Sequence, residues 1–299
     1  MSADEFSRLA LGSAQFGLDY GIANPAGKVA IEEATEILSL AKSVGIRLID
    51  TAPTYGSAQA LLGRLIGLDG HFDFVTKTLP VGNERIGEPD LARIAAAFED
   101  SLKHLGRERL AAVMVHHAAD LLKPGGDRLY DLMRRWQVEG RVGKIGASVY
   151  ERAQIEALLE RHALDLIQLP LNIFDQRLLR DGVLAALAKQ GIEIHVRSVF
   201  LQGLLLMEGD ALPAYFMPWQ DHLRQFHAYC RSLGISPLTA CLGFVLGQPE
   251  VAKVIIGVVS ASQLAECIAA SRQSLRGDWS TFALDSLEII DPRRWPQPR

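Results

Sequence analysis

Short apolar runs alternate with longer segments of helical periodicity along the chain. The runs at 8–12, 47–50, 74–77, 111–116, 144–149, 166–170, 192–197 and 254–256 read as eight strands. Between them apolar residues recur at three- and four-residue spacing, as Ile31, Ala34, Ile37, Leu38 and Ala41 do over 31–44. Further helices are expected at 57–66, 127–139, 152–161, 181–190, 221–233, 237–246 and 260–271. Another opens at Pro89, whose missing N–H is no loss in a first turn, and carries a stripe of Leu91, Ile94, Ala95, Phe98 and Leu102. Parallel strands need crossover connections, so this alternation predicts a parallel sheet. Eight such units close into a (β/α)8, or TIM, barrel. An open doubly wound sheet fits less well, because no GxGxxG follows the first strand. No break in composition divides the chain, so 1–299 reads as a single domain with 273–299 as a C-terminal tail packing on the barrel. From 279 onward that tail is expected to be a coil, and 201–219 to be irregular.

Composition narrows the classes. At 299 residues the chain can bury about three quarters of its unfolded surface without a disulfide or metal staple. Apolar residues at 48% and charged ones at 22% mark an ordinary globular protein. A net charge of −4 argues against a nucleic-acid partner. Cys230, Cys241 and Cys267 are odd in number and form no CxxC pair, so they read as reduced thiols. The start, Met1-Ser2-Ala3-Asp4-Glu5, is acidic where a signal peptide is basic, and no stretch approaches the ~18 apolar residues of a membrane span. A cytoplasmic protein without a membrane partner is expected, as a monomer or small homo-oligomer. The sequence carries no HExxH, paired Cys/His spacing or Walker loop, so neither a metal site nor a triphosphatase is expected.

Function in such a barrel sits at the C-terminal ends of the strands. Those ends carry Asp50, Lys77, His116, Ser148, Gln168 and Arg197-Ser198, with Tyr55 just past the second. Singly, a strand-end Asp, Lys or His is usually a cap, an ion-pair partner or a satisfied core residue. Together they make chemical sense. A tyrosine hydroxyl titrates near 10, too high for easy proton exchange at neutrality. A nearby ammonium lowers that value, and a carboxylate holds the ammonium in place. A histidine opposite can hydrogen-bond a substrate oxygen. The set suits proton transfer to an oxygen that gains charge as hydride reaches carbon.

At these residues the chain resembles the aldo-keto reductase superfamily, over about residues 9–269. Gly45-Ile46-Arg47-Leu48-Ile49-Asp50-Thr51-Ala52-Pro53-Thr54-Tyr55-Gly56 looks like that family's signature around its tyrosine. The Lys of Val75-Thr76-Lys77-Thr78, then Ser101-Leu102-Lys103-His104-Leu105-Gly106 and Val113-Met114-Val115-His116, follow in family order. Gly140-Arg141-Val142-Gly143-Lys144-Ile145-Gly146-Ala147-Ser148 and Ile167-Gln168-Leu169-Pro170-Leu171-Asn172 complete the match. The resemblance implies a catalytic tetrad of Asp50, Tyr55, Lys77 and His116. It implies NAD(P)(H) across the barrel mouth, with its amide at Ser148 and Gln168 and its phosphates near Ser198. Gly257, Ser260 and Gln263 would mark the adenosine end, with NADP(H) preferred and NAD(H) an alternative. The opening 11–21 and the run 197–203 resemble a bacterial subgroup linked to sugar or polysaccharide metabolism, which implies a small carbonyl or sugar substrate.

Three positions depart from the family pattern. Ser148-Val149 stands where Ser-Asn is usual, so Val149 replaces the asparagine. Arg197 stands where an aromatic ring commonly stacks on the nicotinamide, and can either stack there itself or pair with Asp165 or Glu193. The segment 257–263 has no cation for a 2′-phosphate, which leaves Arg272 and Arg276 as substitutes. Asn172 reads as a cofactor contact or a turn residue, and His117 as a rim residue or one facing away. Tyr215, Phe216, Met217 and Trp219 either wall the substrate pocket or pack a lid. An oxidoreductase acting on aldehydes, ketones or sugars is the expected function. Two alternatives are a nicotinamide redox sensor with little turnover and an isomerase or aldolase with Lys77 as a Schiff base.

Overall fold

The computed structural model describes residues 6–208 and 211–296. The readings made on residues 1–5, on 209–210 of the irregular stretch and on 297–299 of the tail lie outside the described residues. All eight expected strands form: β1 (Leu9–Gly12), β2 (Leu48–Asp50), β3 (Asp73–Lys77), β4 (Leu110–Val115), β5 (Val142–Ser148), β6 (Leu166–Pro170), β7 (Glu193–Arg197) and β8 (Val251–Gly257). Each is parallel to its neighbours, and β8 closes on β1 through the register Ala10↔Ile255. The helices are α1 (Ile31–Ser43), α2 (Ala58–Ile66), α3 (Glu88–Leu105), α4 (Ala119–Leu122), α5 (Gly126–Val138), α6 (Arg152–Leu159), α7 (Arg177–Arg180), α8 (Val183–Lys189), α9 (Gln220–Ser232), α10 (Pro237–Leu246), α11 (Ala261–Ser271) and α12 (Leu287–Ile290). Three short ones, α4, α7 and α12, are not predicted by the periodicity, and the rest follow in the expected order.

Local chemistry sets these bounds. The Asp90 carboxylate reaches back to the Gly87 N–H at the start of α3 (3.0 Å), and Gly106 ends the helix in a left-handed turn at φ 61°. At α10 the Ser236 hydroxyl accepts from the Thr239 N–H, and Pro237 fills the first turn. The helix expected over 181–190 begins only at Val183, because Gly182 at φ 71° separates it from α7. Strand β8 is longer than 254–256. Lys253 interrupts its apolar pattern, yet Arg8 secures the segment by donating to the Val251 carbonyl at 3.0 Å.

Alternate residues point into the barrel. Ala10, Leu48, Val75, Ala112, Met114, Leu166 and Ile255 fill its interior. Toward the N-terminal ends of the strands this gives way to Glu193, which accepts from Lys144 and lies 2.7 Å from the His195 ring nitrogen. The same alternation carries Asp50, Lys77, Ser148, Gln168 and Arg197 to the opposite, C-terminal mouth. Outside, helices seal the sheet with stacked pairs such as Phe98 on Trp136, 4.0 Å between ring centroids. The three cysteines are buried and unbridged, and burial pushes the Cys230 thiol to about 11 and the Cys267 thiol to about 12. Among the described residues no single helix is long and apolar enough to cross a membrane.

The tail is not the coil expected from 279 onward. It contains α12 and two short turns, Ser280–Phe282 and Pro292–Arg294, and it buries Trp279, Phe282, Ile289, Ile290 and Trp295. The aromatic residues of 214–219 serve this tail. Phe216 meets Trp295 edge-on at 4.8 Å, and the Tyr215 hydroxyl donates to the Glu288 carbonyl at 3.0 Å.

Candidate active site

The loop after β2 carries Tyr55, and close backbone packing holds it. The Tyr55 N–H donates to the Ala52 carbonyl, and the Ala58 N–H donates to the Tyr55 carbonyl, both at 3.0 Å. Gly56 takes φ 54°, a left-handed conformation that disfavours other residues. Gly17 lies against the same loop, and a Cβ there would sit 1.9 Å from the Tyr55 carbonyl oxygen. Glycine at 17 and 56 therefore lets two backbones pass and fixes where the phenol points.

Lys77, the last residue of β3, ties the site together. Its ammonium donates to Asp50 Oδ1 at 2.5 Å and to both the Tyr55 hydroxyl and the Thr51 carbonyl at 3.2 Å. The second carboxylate oxygen of Asp50 accepts from Gln168 Nε2 at 2.8 Å. Asp50, Lys77 and Gln168 are all buried. His116 lies one residue beyond β4, its ring edge-on to Tyr55 with 6.0 Å between centroids, and Thr54 Oγ1 is 3.4 Å from its Nδ1. All four tetrad residues thus meet at one point.

The electrostatics differ in one respect from the expectation. Burial disfavours the Lys77 ammonium, but Asp50 and Tyr55 outweigh it and hold Lys77 above its ordinary value. Burial likewise pushes the Tyr55 phenol up. Lys77 pulls it back, but Asp50 pushes it up again, and the net shift is upward. The expected lowering fails because burial outweighs the pull of Lys77, whose charge the Asp50 carboxylate also offsets. Burial and then Lys77 depress His116 to about 3, so its imidazole is neutral at ordinary pH. A lysine kept protonated with every N–H engaged is poorly suited to Schiff-base formation.

These groups line one cavity of about 1150 Å³ that runs from the tetrad to the start of α11. Ser148, Gln168, Arg197, Ser198, Gly257 and Gln263 all line it. Ser260 does not, and its hydroxyl caps α11 by accepting from the Gln263 N–H. His117 rims the cavity. Asn172 is removed from it: its side chain donates to the Ser198 carbonyl and accepts from the Phe174 and Asp175 N–H groups, which makes it a turn residue. Arg197 pairs with neither Asp165 nor Glu193, since Gln137 and Ile145 occupy the first, and Lys144 and His195 the second. Its guanidinium instead lies 3.9 Å from the ring centroid of Tyr150. Arg293, from the tail, stacks on the same ring at 3.5 Å. Sequence reasoning missed Tyr150 and Arg293. The first is signalled only by its place two residues past Ser148, and the second by nothing local.

The sequence model of the aldo/keto reductase family matches residues 8–278. A D-threo-aldose 1-dehydrogenase from a Pseudomonas species is 26% identical over 89% of this chain and 92% of that protein. The NADH-specific methylglyoxal reductase of Escherichia coli is 24% identical over 83% of this chain and 85% of its own length. Among solved structures, a glycerol dehydrogenase from Gluconobacter oxydans shares the fold at a TM-score of 0.72 and 23% identity, covering 98% of this chain and 93% of that one.

Proposed function

This chain belongs to the aldo/keto reductase family, and from that premise we propose that it moves hydride between a nicotinamide cofactor and a carbonyl or alcohol, with Tyr55 as general acid and base. One observation carries the reading: Lys77 bridges Asp50 and the Tyr55 hydroxyl at the foot of the cavity. The cavity, at about 1150 Å³, exceeds the ~300–1000 Å³ usual for one small ligand, so a dinucleotide and a small substrate fit together. A dinucleotide held along Ser148, Gln168, Ser198 and Gln263 would supply or accept the hydride. The residues do the rest. Tyr55, kept protonated, donates to the carbonyl oxygen during reduction, and Lys77 stabilises the phenolate left behind. His116, neutral, orients that oxygen. The aldose and methylglyoxal named for two relatives support a small aldehyde or sugar as substrate.

The adenosine end points to NAD(H) in place of the NADP(H) preference drawn from resemblance. Glu266 lines the cavity there, and Glu33 accepts from the Ala261 N–H at 2.5 Å at the start of α11. Arg272 lies 4.8 Å from the ring of Phe6, and neither it nor Arg276 faces the cavity. A carboxylate on the wall at this end, with Arg272 and Arg276 off it, disfavours a 2′-phosphate. Fluorescence titration is expected to give a tighter Kd for NADH than for NADPH.

Tyr55→Phe tests the assignment. It is expected to lower kcat by at least about 100-fold while cofactor quenching persists. Turnover near the wild-type rate would exclude Tyr55 as the proton carrier.

A further inference from the structure

Arg197 is a cation in search of a counter-charge. Among the described residues it makes no ion pair, whereas the other cations on the cavity wall do: Lys77 with Asp50, and Arg293 with Asp291. Its contacts are all neutral. Nε donates to Ser148 Oγ at 3.3 Å, Nη2 to the Val149 carbonyl at 2.9 Å, and Nη1 to Ser198 Oγ at 3.4 Å. These fix the guanidinium plane, and Tyr150 covers one face of it. A guanidinium has five N–H donors, so one on each terminal nitrogen is left. The group is partly buried and close enough for its charge to act on Tyr55 and His116. The carboxylates on the same wall are Asp50, already held by Lys77 and Gln168, and Glu208 and Glu266, neither of which reaches Arg197.

A partly desolvated cation held by neutral groups is completed by an anion from outside. From this we infer that Arg197 is the anchor of an anion subsite beside the tetrad, and that the substrate is a carbonyl compound carrying a carboxylate or phosphate group. The inference rests on the proposed hydride transfer and specifies its substrate. Two free N–H groups on one rigid plane match two oxygens of a carboxylate or phosphate. Tyr150 and Arg293 keep the plane from swinging away. Arg293, neutralised by Asp291, adds stiffness more than charge.

Matched substrates test this. Reduction is measured with 4-oxobutanoate against butanal, and with glyceraldehyde 3-phosphate against glyceraldehyde. At least one anionic member is expected to exceed its neutral partner by roughly 30-fold in kcat/KM, and Arg197→Gln to bring that ratio close to one. The favoured pair tells carboxylate from phosphate. Malonate is expected to compete with the carbonyl substrate and not with the cofactor, and Arg197→Gln to abolish that inhibition. Arg197→Lys, which keeps the charge without the planar fork, is expected to retain part of the discrimination and serves if the glutamine variant does not fold. Equal use of neutral and anionic partners by the wild type overturns the inference while leaving hydride transfer intact. So does a variant that weakens cofactor binding and lowers both partners equally, since Arg197 would then serve the cofactor's phosphates. If no carbonyl is turned over, the proposed function fails, and a thermal shift of the free protein with malonate that Arg197→Gln removes still reports the anion subsite.

Discussion

Asp50 and Lys77 form a buried pair at 2.5 Å whose value lies in what happens when one partner goes. An isolated buried ammonium is costly, so Asp50→Asn is expected to destabilise the fold by about 3 kcal/mol, read from urea unfolding. It should also cost activity, because Lys77 would no longer be held against the Tyr55 hydroxyl. A wild-type unfolding midpoint would show that the pair is solvated. His116 gives a pH signature. In the unfolded chain it titrates near 6.5, and in the fold it stays neutral down to about 3. Between these values the unfolded state binds the extra proton, so this residue's contribution to stability falls as pH drops. His116→Gln should therefore lose less Tm than the wild type between pH 7 and pH 4. An equal or larger loss would mean that His116 is not desolvated.

Elements, more than single side chains, aim the reacting groups. Tyr55 is placed by a loop pinned between β2 and α2 and pressed by the turn at Gly17. Gly17→Ala puts a carbon against the Tyr55 carbonyl, and the loop must yield. We expect kcat/KM to fall at least about 10-fold, because small displacements of a reacting group are expensive. The stability cost should be about 1–3 kcal/mol, as for other overpacked sites. Gly106→Ala is the control. It strains the left-handed end of α3 at φ 61°, far from the cavity, and should cost about 1 kcal/mol with normal kinetics. If both variants keep activity, the Gly17 contact does not position Tyr55. The elements themselves were mostly legible from periodicity. The start of α8 and the length of β8 were not, because a glycine break and a partly buried lysine, Lys253, hid them.

The cavity belongs to the whole molecule. Its walls come from strand ends on every side of the barrel, and one patch comes from the tail, where Arg293 stacks on Tyr150. The tail docks through Trp295, which is buried against Phe216 and donates from its indole to the Ile289 carbonyl at 3.1 Å. Trp295→Ala removes that anchor. A loss of about 3 kcal/mol or more is expected in unfolding experiments, together with faster proteolysis of the tail and a raised KM for substrate. Unchanged KM with a released tail would show that Arg293 and Tyr150 do not shape the substrate end.

What the sequence determined by itself is the barrel and the convergence of four strand-end residues. Strand and helix periodicities are local, alternation decides which residues face inward, and strand ends therefore predict a common mouth for Asp50, Tyr55, Lys77 and His116. Tertiary structure decided what depends on neighbours distant along the chain. It bonded Gln168 to Asp50, set Asn172 in a turn and made Ser260 the cap of α11. It raised Tyr55 where a nearby lysine alone predicts lowering, because burial and a third charge enter only once the chain is closed. It brought Arg293 to Tyr150 across more than a hundred residues and left Arg197 without a carboxylate among the described residues. No local pattern encodes which charges meet, since that is set by how the barrel and its tail pack.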